Sequence, residues 1–143
     1  MSKGNTFEND VLALIFNATT IANLAINATS SPLTVLYVSL HTADPGEAGT
    51  QLTNEVTYGS YARVAVNRNS GGWSVTNNSV SPVADITFPA VGSGTMTATH
   101  AAVGTTDTGN AGKILYSGTL SPNIAIAVGV TPIITTSTTI TED

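Results

Sequence analysis

The chain has 143 residues, of which 41% are hydrophobic and only 9% are charged, and its formal net charge at pH 7 is −5. This length accommodates one domain with a hydrophobic core, so we treat residues 1–143 as a single domain. The four basic residues are scattered, which excludes the clustered positive surface of a nucleic-acid-binding protein. The absence of cysteine excludes a disulfide framework and a thiolate zinc site.

The first predicted element is a short amphipathic helix over residues 7–16. Its apolar residues recur at steps of four, three and one, and Thr6 is a candidate N-cap. The apolar segment 11–16 is too short to cross a bilayer, and the N-terminus lacks the apolar run of a signal peptide. We therefore expect residues 1–30 to form a helical arm on a soluble protein that is made in the cytoplasm and has no membrane partner.

Residues 31–143 have the composition of a β protein. Short runs of β-branched and aromatic residues alternate with turn residues, and these runs are LTVLYVSL, YARVAV, GWSVT, ADITFP, TMTATHAAV, KILYSGTL, NIAIAV and PIITTSTTI. In TMTATHAAV, threonines alternate with Met96, Ala98 and His100, and this period of two indicates a strand. The sequence therefore predicts a mainly β fold, either a sandwich or a barrel.

The stretch LYVSLHTADPGEAG contains one of the two histidines and is the strongest candidate for a metal site. His41, Asp44 and Glu47 lie at steps of three, but this spacing matches no dedicated ligand pattern. Pro45 presets φ for a turn and a glycine follows it, so residues 44–47 are predicted to form a turn. We therefore predict no metal site and no cofactor.

The sequence shows no catalytic motif. No serine or carboxylate lies at a motif spacing from His41 or His100, although a triad can assemble across a fold without a fixed sequence order. The few acidic and aromatic residues also disfavour a glycosidase cleft. We predict no catalytic residues and no enzyme activity, and a small hydrolase is the least favoured alternative.

Three aromatic residues beside predicted turns, Tyr58, Tyr61 and Trp73, have two interpretations. They could form an exposed recognition patch, or they could close one end of a sandwich. We favour the core, and the patch is the feature expected of a recognition module.

The whole pattern resembles a family of small tailed-bacteriophage virion proteins, described as capsid cement, head-decoration or tail-fibre-like proteins. The order of the blocks carries this resemblance: an N-terminal helix, then LYVSLHTADPGEAG, NEVTYGSYARVAV, NNSVSPVADITFP, GTMTATHAAVG, GKILYSGTL and VGVTPII. The resemblance implies an antiparallel β-sandwich of jelly-roll type with a short N-terminal helix. It also implies a virion structural protein that performs no chemistry.

The resemblance leads to two expectations for function. The first is a cement or decoration protein on the capsid surface, a homodimer that binds the major capsid protein and stabilises contacts between capsomers. The alternative is a tail-fibre or receptor-recognition module, a trimer that binds a host cell-surface ligand. We expect contacts from the helix, the loop 41–55 and nearby aromatics, and the predicted interface residues are Phe7, Val11, Leu14, Ile15, Phe16, His41, Asp44, Pro45, Glu47, Tyr58, Tyr61, Arg63 and Trp73.

Overall fold

The computed structural model describes residues 5–21 and 32–142, and this part of the chain is mainly β. Its elements in chain order are α1 (Asn5–Asn17), β1 (Val35–His41), β2 (Val64–Asn67), β3 (Trp73–Thr76), β4 (Ser79–Pro82), β5 (Ile86–Thr87), β6 (Met96–Gly104), β7 (Ile114–Ile126), β8 (Ile133–Ile134) and β9 (Ile140–Thr141). The pairs β1–β6, β3–β4, β4–β9, β5–β8 and β6–β7 are antiparallel. The prediction of an antiparallel, mainly β fold with a short N-terminal helix is confirmed.

The described strands form three sheets. A four-stranded sheet has the order β2-β1-β6-β7, a three-stranded sheet has the order β3-β4-β9, and β5 pairs with β8. A jelly roll has eight strands in two sheets, so the jelly-roll topology stays a prediction. Residues 1–4 and 22–30 of the expected helical arm lie outside the described residues.

Residue contacts divide the chain into two compact units. Of the described residues, unit 1 contains 5–21, 32–35, 66–85 and 135–142, and unit 2 contains 36–65 and 86–134. The helix α1 thus belongs to the same unit as β3, β4 and β9, because it packs on β3 and β4. The single domain with an arm that ends at residue 30 stays a prediction.

The core of unit 1 is built on one face of α1. Leu12 and Phe16 are fully buried, and Glu8, one turn earlier on the same face, is also buried. Phe16 meets the indole of Trp73 edge to face, with ring centroids 4.7 Å apart and an interplanar angle of 66°. The predicted apolar face was Phe7, Val11, Leu14 and Ile15, but Phe7 is 40% exposed, because the buried stripe begins one position later, at Glu8.

The C-terminal end of α1 is held by an arginine that is distant in sequence. The Arg68 guanidinium donates from Nε to the carbonyl of Ile15 and from Nη2 to the carbonyl of Leu14 at 2.6 Å. The helix has no basic residue in its own last turn. Arg68 therefore supplies both the missing donors and the positive charge that a helix C-terminus favours.

In unit 2, the second half of β1 is buried on both faces. Val38, Ser39, Leu40 and His41 are consecutive buried residues, and β6 pairs with them in antiparallel register, with His41 opposite His100. A strand covered on both sides has no solvent-facing positions for polar side chains. Ser39 and His41 must therefore find hydrogen-bond partners inside the protein.

Candidate interaction surface

A buried ion pair organises the loops of unit 2. Arg63 Nε lies 2.7 Å from Glu55 Oε1, and Arg63 Nη2 lies 2.8 Å from Glu55 Oε2, so the pair is bidentate. The two side chains are only 2% and 8% exposed. The hydrogen bonds to Glu55 raise the pKa of Arg63 above its ordinary value, which keeps the guanidinium charged.

The same guanidinium reaches a second loop. Arg63 Nη1 donates to the carbonyl of Thr106 at 3.0 Å, and Nη2 also donates to the carbonyl of Gly109 at 2.9 Å. Tyr61 completes the group, because its hydroxyl donates to Glu55 Oε1 at 2.9 Å. Burial raises the pKa of Tyr61, so this hydroxyl stays a neutral donor. We call Glu55, Tyr61 and Arg63 the Arg63 cluster.

A buried glutamine makes a second connection between the loops. Gln51 is fully buried, and its Oε1 accepts a hydrogen bond from Thr106 N at 3.3 Å, while its Nε2 donates to the carbonyl of Tyr37 at 3.4 Å. A Cβ atom at Gly104 would overlap the Gln51 amide, so any larger residue there would displace this amide from its hydrogen bonds. We call residues 42–54 and 105–112, which these bonds hold, the clamped loops.

The first clamped loop contains the turn predicted from Asp44 and Pro45. Asp44 Oδ1 accepts from Gly46 N at 2.9 Å, and Gly49 N donates to the carbonyl of Gly46 at 3.0 Å. The hydrogen-bonded turn therefore closes between residues 46 and 49, two residues later than predicted, and Gly46 adopts a φ of 70°, which glycine tolerates. Among the described residues, no group of three or more His, Asp or Glu side chains is placed to hold a metal ion.

His41 is a buried, neutral side chain. Its Nδ1 lies 2.9 Å from the carbonyl of Thr53, which can only accept, so Nδ1 carries the proton and Nε2 accepts from Ser39 Oγ at 2.9 Å. Desolvation lowers the pKa of His41. Ser39 and His41 are fully buried and the third partner is a carbonyl, so this serine–histidine pair offers a hydrolase no accessible nucleophile.

We expect acid to destabilise the protein through His41. Its folded pKa lies below the unfolded value of 6.5, so the unfolded state binds more protons below that pH and the free energy of unfolding falls as pH falls. One such group contributes a slope of at most about 1.4 kcal/mol per pH unit. The charge of Glu55 raises the pKa of His41, and the nearby Arg63 and His100 lower it further. Each of these effects is smaller than the effect of burial.

Urea unfolding between pH 5 and 7.5 measures this slope. The variant His41→Gln should lose most of it, whereas His100→Gln should keep the part that His41 contributes. Equal slopes in the wild-type protein and in His41→Gln would contradict the assignment.

The predicted interface residues differ widely in exposure. Asp44, Glu47 and Phe7 are exposed, and as contact residues they stay predictions. Val11, Leu14, Ile15 and Tyr61 are half-buried. The buried members, which cannot reach a partner in this structure, are Phe16, His41, Pro45, Tyr58, Arg63 and Trp73.

The exposed aromatic patch is not formed. Tyr58 is 3% exposed and donates from its hydroxyl to the carbonyl of Pro89, and Trp73 is 2% exposed in the core of unit 1. Tyr61 packs edge to face on Tyr58, with ring centroids 5.2 Å apart. The core interpretation holds for Tyr58 and Trp73, because burying large rings gains more free energy than exposing them beside a turn.

The clamped loops leave a polar, weakly charged surface exposed. Its exposed side chains include Asp44, Glu47, Asp107, Thr108 and Asn110, with Leu52 as an apolar member at 51% exposure. Sequence patterns predicted contacts from the loop 41–55 and a turn over residues 105–112, but not the roles of Gln51 and Glu55 or any contact from the second loop. One signal in the sequence could have indicated the ion pair. The chain has only four basic residues, and one of them, Arg63, lies eight positions after Glu55.

Unit 1 contains a different surface feature. A groove of about 390 Å³ is lined by Thr6, Asn9, Asn77 and Asn78, and Asn9 Nδ2 donates across it to the carbonyl of Asn77 at 2.7 Å. Its lining is polar and uncharged. No helix in the described part of the chain is long and apolar enough to cross a membrane.

Comparison with known proteins identifies the class of virion protein. Residues 3–141 match the family model described as Podophage GP4 fiber I protein gp80. This match confirms the resemblance to tailed-phage virion structural proteins. No curated protein matches the chain.

Proposed function

Because the chain belongs to the family of the podophage GP4 fiber I protein gp80, we propose that it is a non-enzymatic structural component of a virion fibre. The match over residues 3–141 carries this proposal, since it spans nearly the whole chain. A family described by a fibre protein supports the tail-fibre expectation better than the expectation of a capsid cement. Binding to the major capsid protein stays a prediction.

We further propose that the clamped loops are the surface that meets a host cell-surface ligand. Binding usually costs entropy because loops and side chains must be ordered. Here the loops are already ordered before binding. Arg63 bonds to Thr106 and Gly109 in the second loop, and Gln51 in the first loop bonds to Thr106. The rigid attachment of exposed polar loops to a β scaffold is the arrangement that recognition surfaces commonly use.

The charge of this surface limits the kinds of ligand that it can bind. Asp44, Glu47 and Asp107 lie on the clamped loops, and the whole chain has a net charge of −5. An anionic polymer would be repelled, whereas neutral hydroxyl and amide groups can bond to Thr108 and Asn110. The expected ligand is therefore a polar group on the cell surface that carries no negative charge.

Electron microscopy of purified virions tests the fibre assignment. We expect density for this chain, identified by labelling with a specific antibody fragment, on fibres and away from the shell lattice. Labelling at many equivalent positions on the shell would overturn the proposal and restore the cement function.

A cell-binding assay tests the recognition surface. Fluorescently labelled protein should bind host cells and block phage adsorption, and Asn110→Arg or Glu47→Arg should weaken binding at least about tenfold, which corresponds to about 1.4 kcal/mol. Thr95→Arg is the matched control, because Thr95 is exposed in unit 2 outside the clamped loops. Equal binding by all three variants would exclude these loops as the recognition surface.

A further inference from the structure

Unit 1 contains a groove that the proposed function does not use. It has a volume of about 390 Å³ and is lined by Thr6, Asn9, Asn77 and Asn78, and we call it the polar groove. Thr6 and Asn9 belong to the first part of α1, and the other two residues form the turn between β3 and β4. This volume lies within the range of about 300–1,000 Å³ for small-molecule pockets. None of the four side chains is charged or aromatic, so the polar groove suits a small polar ligand.

The wall formed by the turn between β3 and β4 is held from two sides. Asn9 Nδ2 donates to the carbonyl of Asn77 at 2.7 Å, which ties the turn to α1. On the other side, Asn78 Nδ2 donates to the carbonyl of Glu142 at 3.3 Å, and Glu142 N donates to the carbonyl of Asn78 at 2.8 Å. The polar groove is therefore formed before any ligand arrives, which reduces the entropy that binding would cost.

The residues of the polar groove keep several polar atoms without a partner in the described part of the chain. A carbonyl oxygen only accepts, so the bonds of Asn9 and Asn78 engage the nitrogen of each amide and leave its Oδ1 as an acceptor. The side chain of Asn77 is exposed and makes no hydrogen bond to a described residue. Thr6, predicted as an N-cap, lies inside α1, and its hydroxyl bonds to no described residue. Together these side chains offer both donors and acceptors.

We propose that the polar groove binds a neutral saccharide through the hydroxyl groups of the sugar. A sugar hydroxyl both donates and accepts hydrogen bonds, and the amides and the threonine hydroxyl of the lining do the same. An anion finds no cation among the lining residues, and a cation finds no carboxylate there. A peptide is disfavoured, because the lining has no large apolar side chain against which its own apolar side chains could be buried.

The lining also determines what happens to the bound sugar. Glycoside hydrolysis needs a pair of carboxylic acid side chains, and none lines the polar groove, so the sugar is bound and not cleaved. Because no aromatic ring is present for stacking, we expect weak binding, with a dissociation constant on the order of 1 mM for one sugar unit. A virion with several copies would raise the overall affinity. The proposal does not depend on the clamped loops, which lie in unit 2.

Nuclear magnetic resonance of the isotope-labelled, full-length protein tests this site. Glucose, galactose, mannose and N-acetylglucosamine are titrated separately to about 100 mM, which is about a hundred times the expected dissociation constant. We expect at least one sugar to shift the side-chain amide signals of Asn9, Asn77 and Asn78 in a saturable way. The absence of a saturable shift with all of these sugars would overturn the proposal. Tighter binding of N-acetylglycine methylamide, a neutral amide probe, or of sodium sulfate would overturn the saccharide as the ligand class.

A glycine variant tests whether the sugar lies in the polar groove. Asn77 has a φ of 55°, which glycine also adopts, so Asn77→Gly removes the amide without straining the turn. This variant should weaken sugar binding about tenfold, as read from the signals of Asn9 and Asn78. Asn123→Gly is the matched control and should bind normally, because it removes an exposed asparagine side chain from unit 2. Equal binding by Asn77→Gly and the wild-type protein would overturn the proposal.

Discussion

Replacing Arg63 with methionine should lower the free energy of unfolding by about 3–5 kcal/mol, because it leaves the Glu55 carboxylate buried without its cation. The two side chains are 2% and 8% exposed, so water does not reach in to replace the lost bonds. The carbonyls of Thr106 and Gly109 lose their donors in the same step. Urea unfolding followed by far-UV circular dichroism measures this loss.

The double variant Glu55→Met/Arg63→Met is the control for this prediction. Removing both charges abolishes the unpaired carboxylate, so the double variant should be more stable than Arg63→Met alone. If Arg63→Met costs less than about 1 kcal/mol, the value typical of a surface ion pair, then the cluster does not stabilise the loops. The clamped loops would then lose the rigidity on which the proposed recognition surface depends.

The sequence predicted the β class because its signals are local. Alternation in TMTATHAAV led directly to β6, and the β-branched run LTVLYVSL led to β1. The N-terminal helix was also predicted, but its buried stripe was not, because Phe7 and Phe16 are equally hydrophobic and only tertiary packing decides which is covered. Local periodicity therefore found most elements, but it missed β4, divided β7 into KILYSGTL and NIAIAV, joined β8 and β9 into PIITTSTTI, and missed which face of the helix is buried.

The candidate surface depends on contacts that no sequence pattern marks. Arg63 bonds to residues 43 and 46 positions away, and Gln51 bonds across 55 positions to Thr106. The antiparallel pairing of β1 and β6 places Gly104 opposite Tyr37, and Gln51 bonds both to the carbonyl of Tyr37 and to Thr106, two residues after Gly104. A turn motif such as TTDTGNAG predicts that a loop exists, but it does not predict which arginine will hold it.

The two phenylalanines of α1 test which face of the helix stabilises the core of unit 1. Phe16→Ala should destabilise unit 1 by about 3–5 kcal/mol, since it removes a fully buried ring and its edge-to-face contact with Trp73. Phe7→Ala is the matched control on the same helix, and its ring is 40% exposed, so it should cost less than about 1 kcal/mol.

Trp73 is the only tryptophan, so its fluorescence reports the unfolding of this core in both variants. Equal losses in Phe16→Ala and Phe7→Ala would contradict the burial of the stripe Glu8, Leu12 and Phe16. If Phe7→Ala folds normally but lowers the number of fibres on virions, Phe7 is a contact residue, because a side chain that leaves stability unchanged can affect assembly only through a partner.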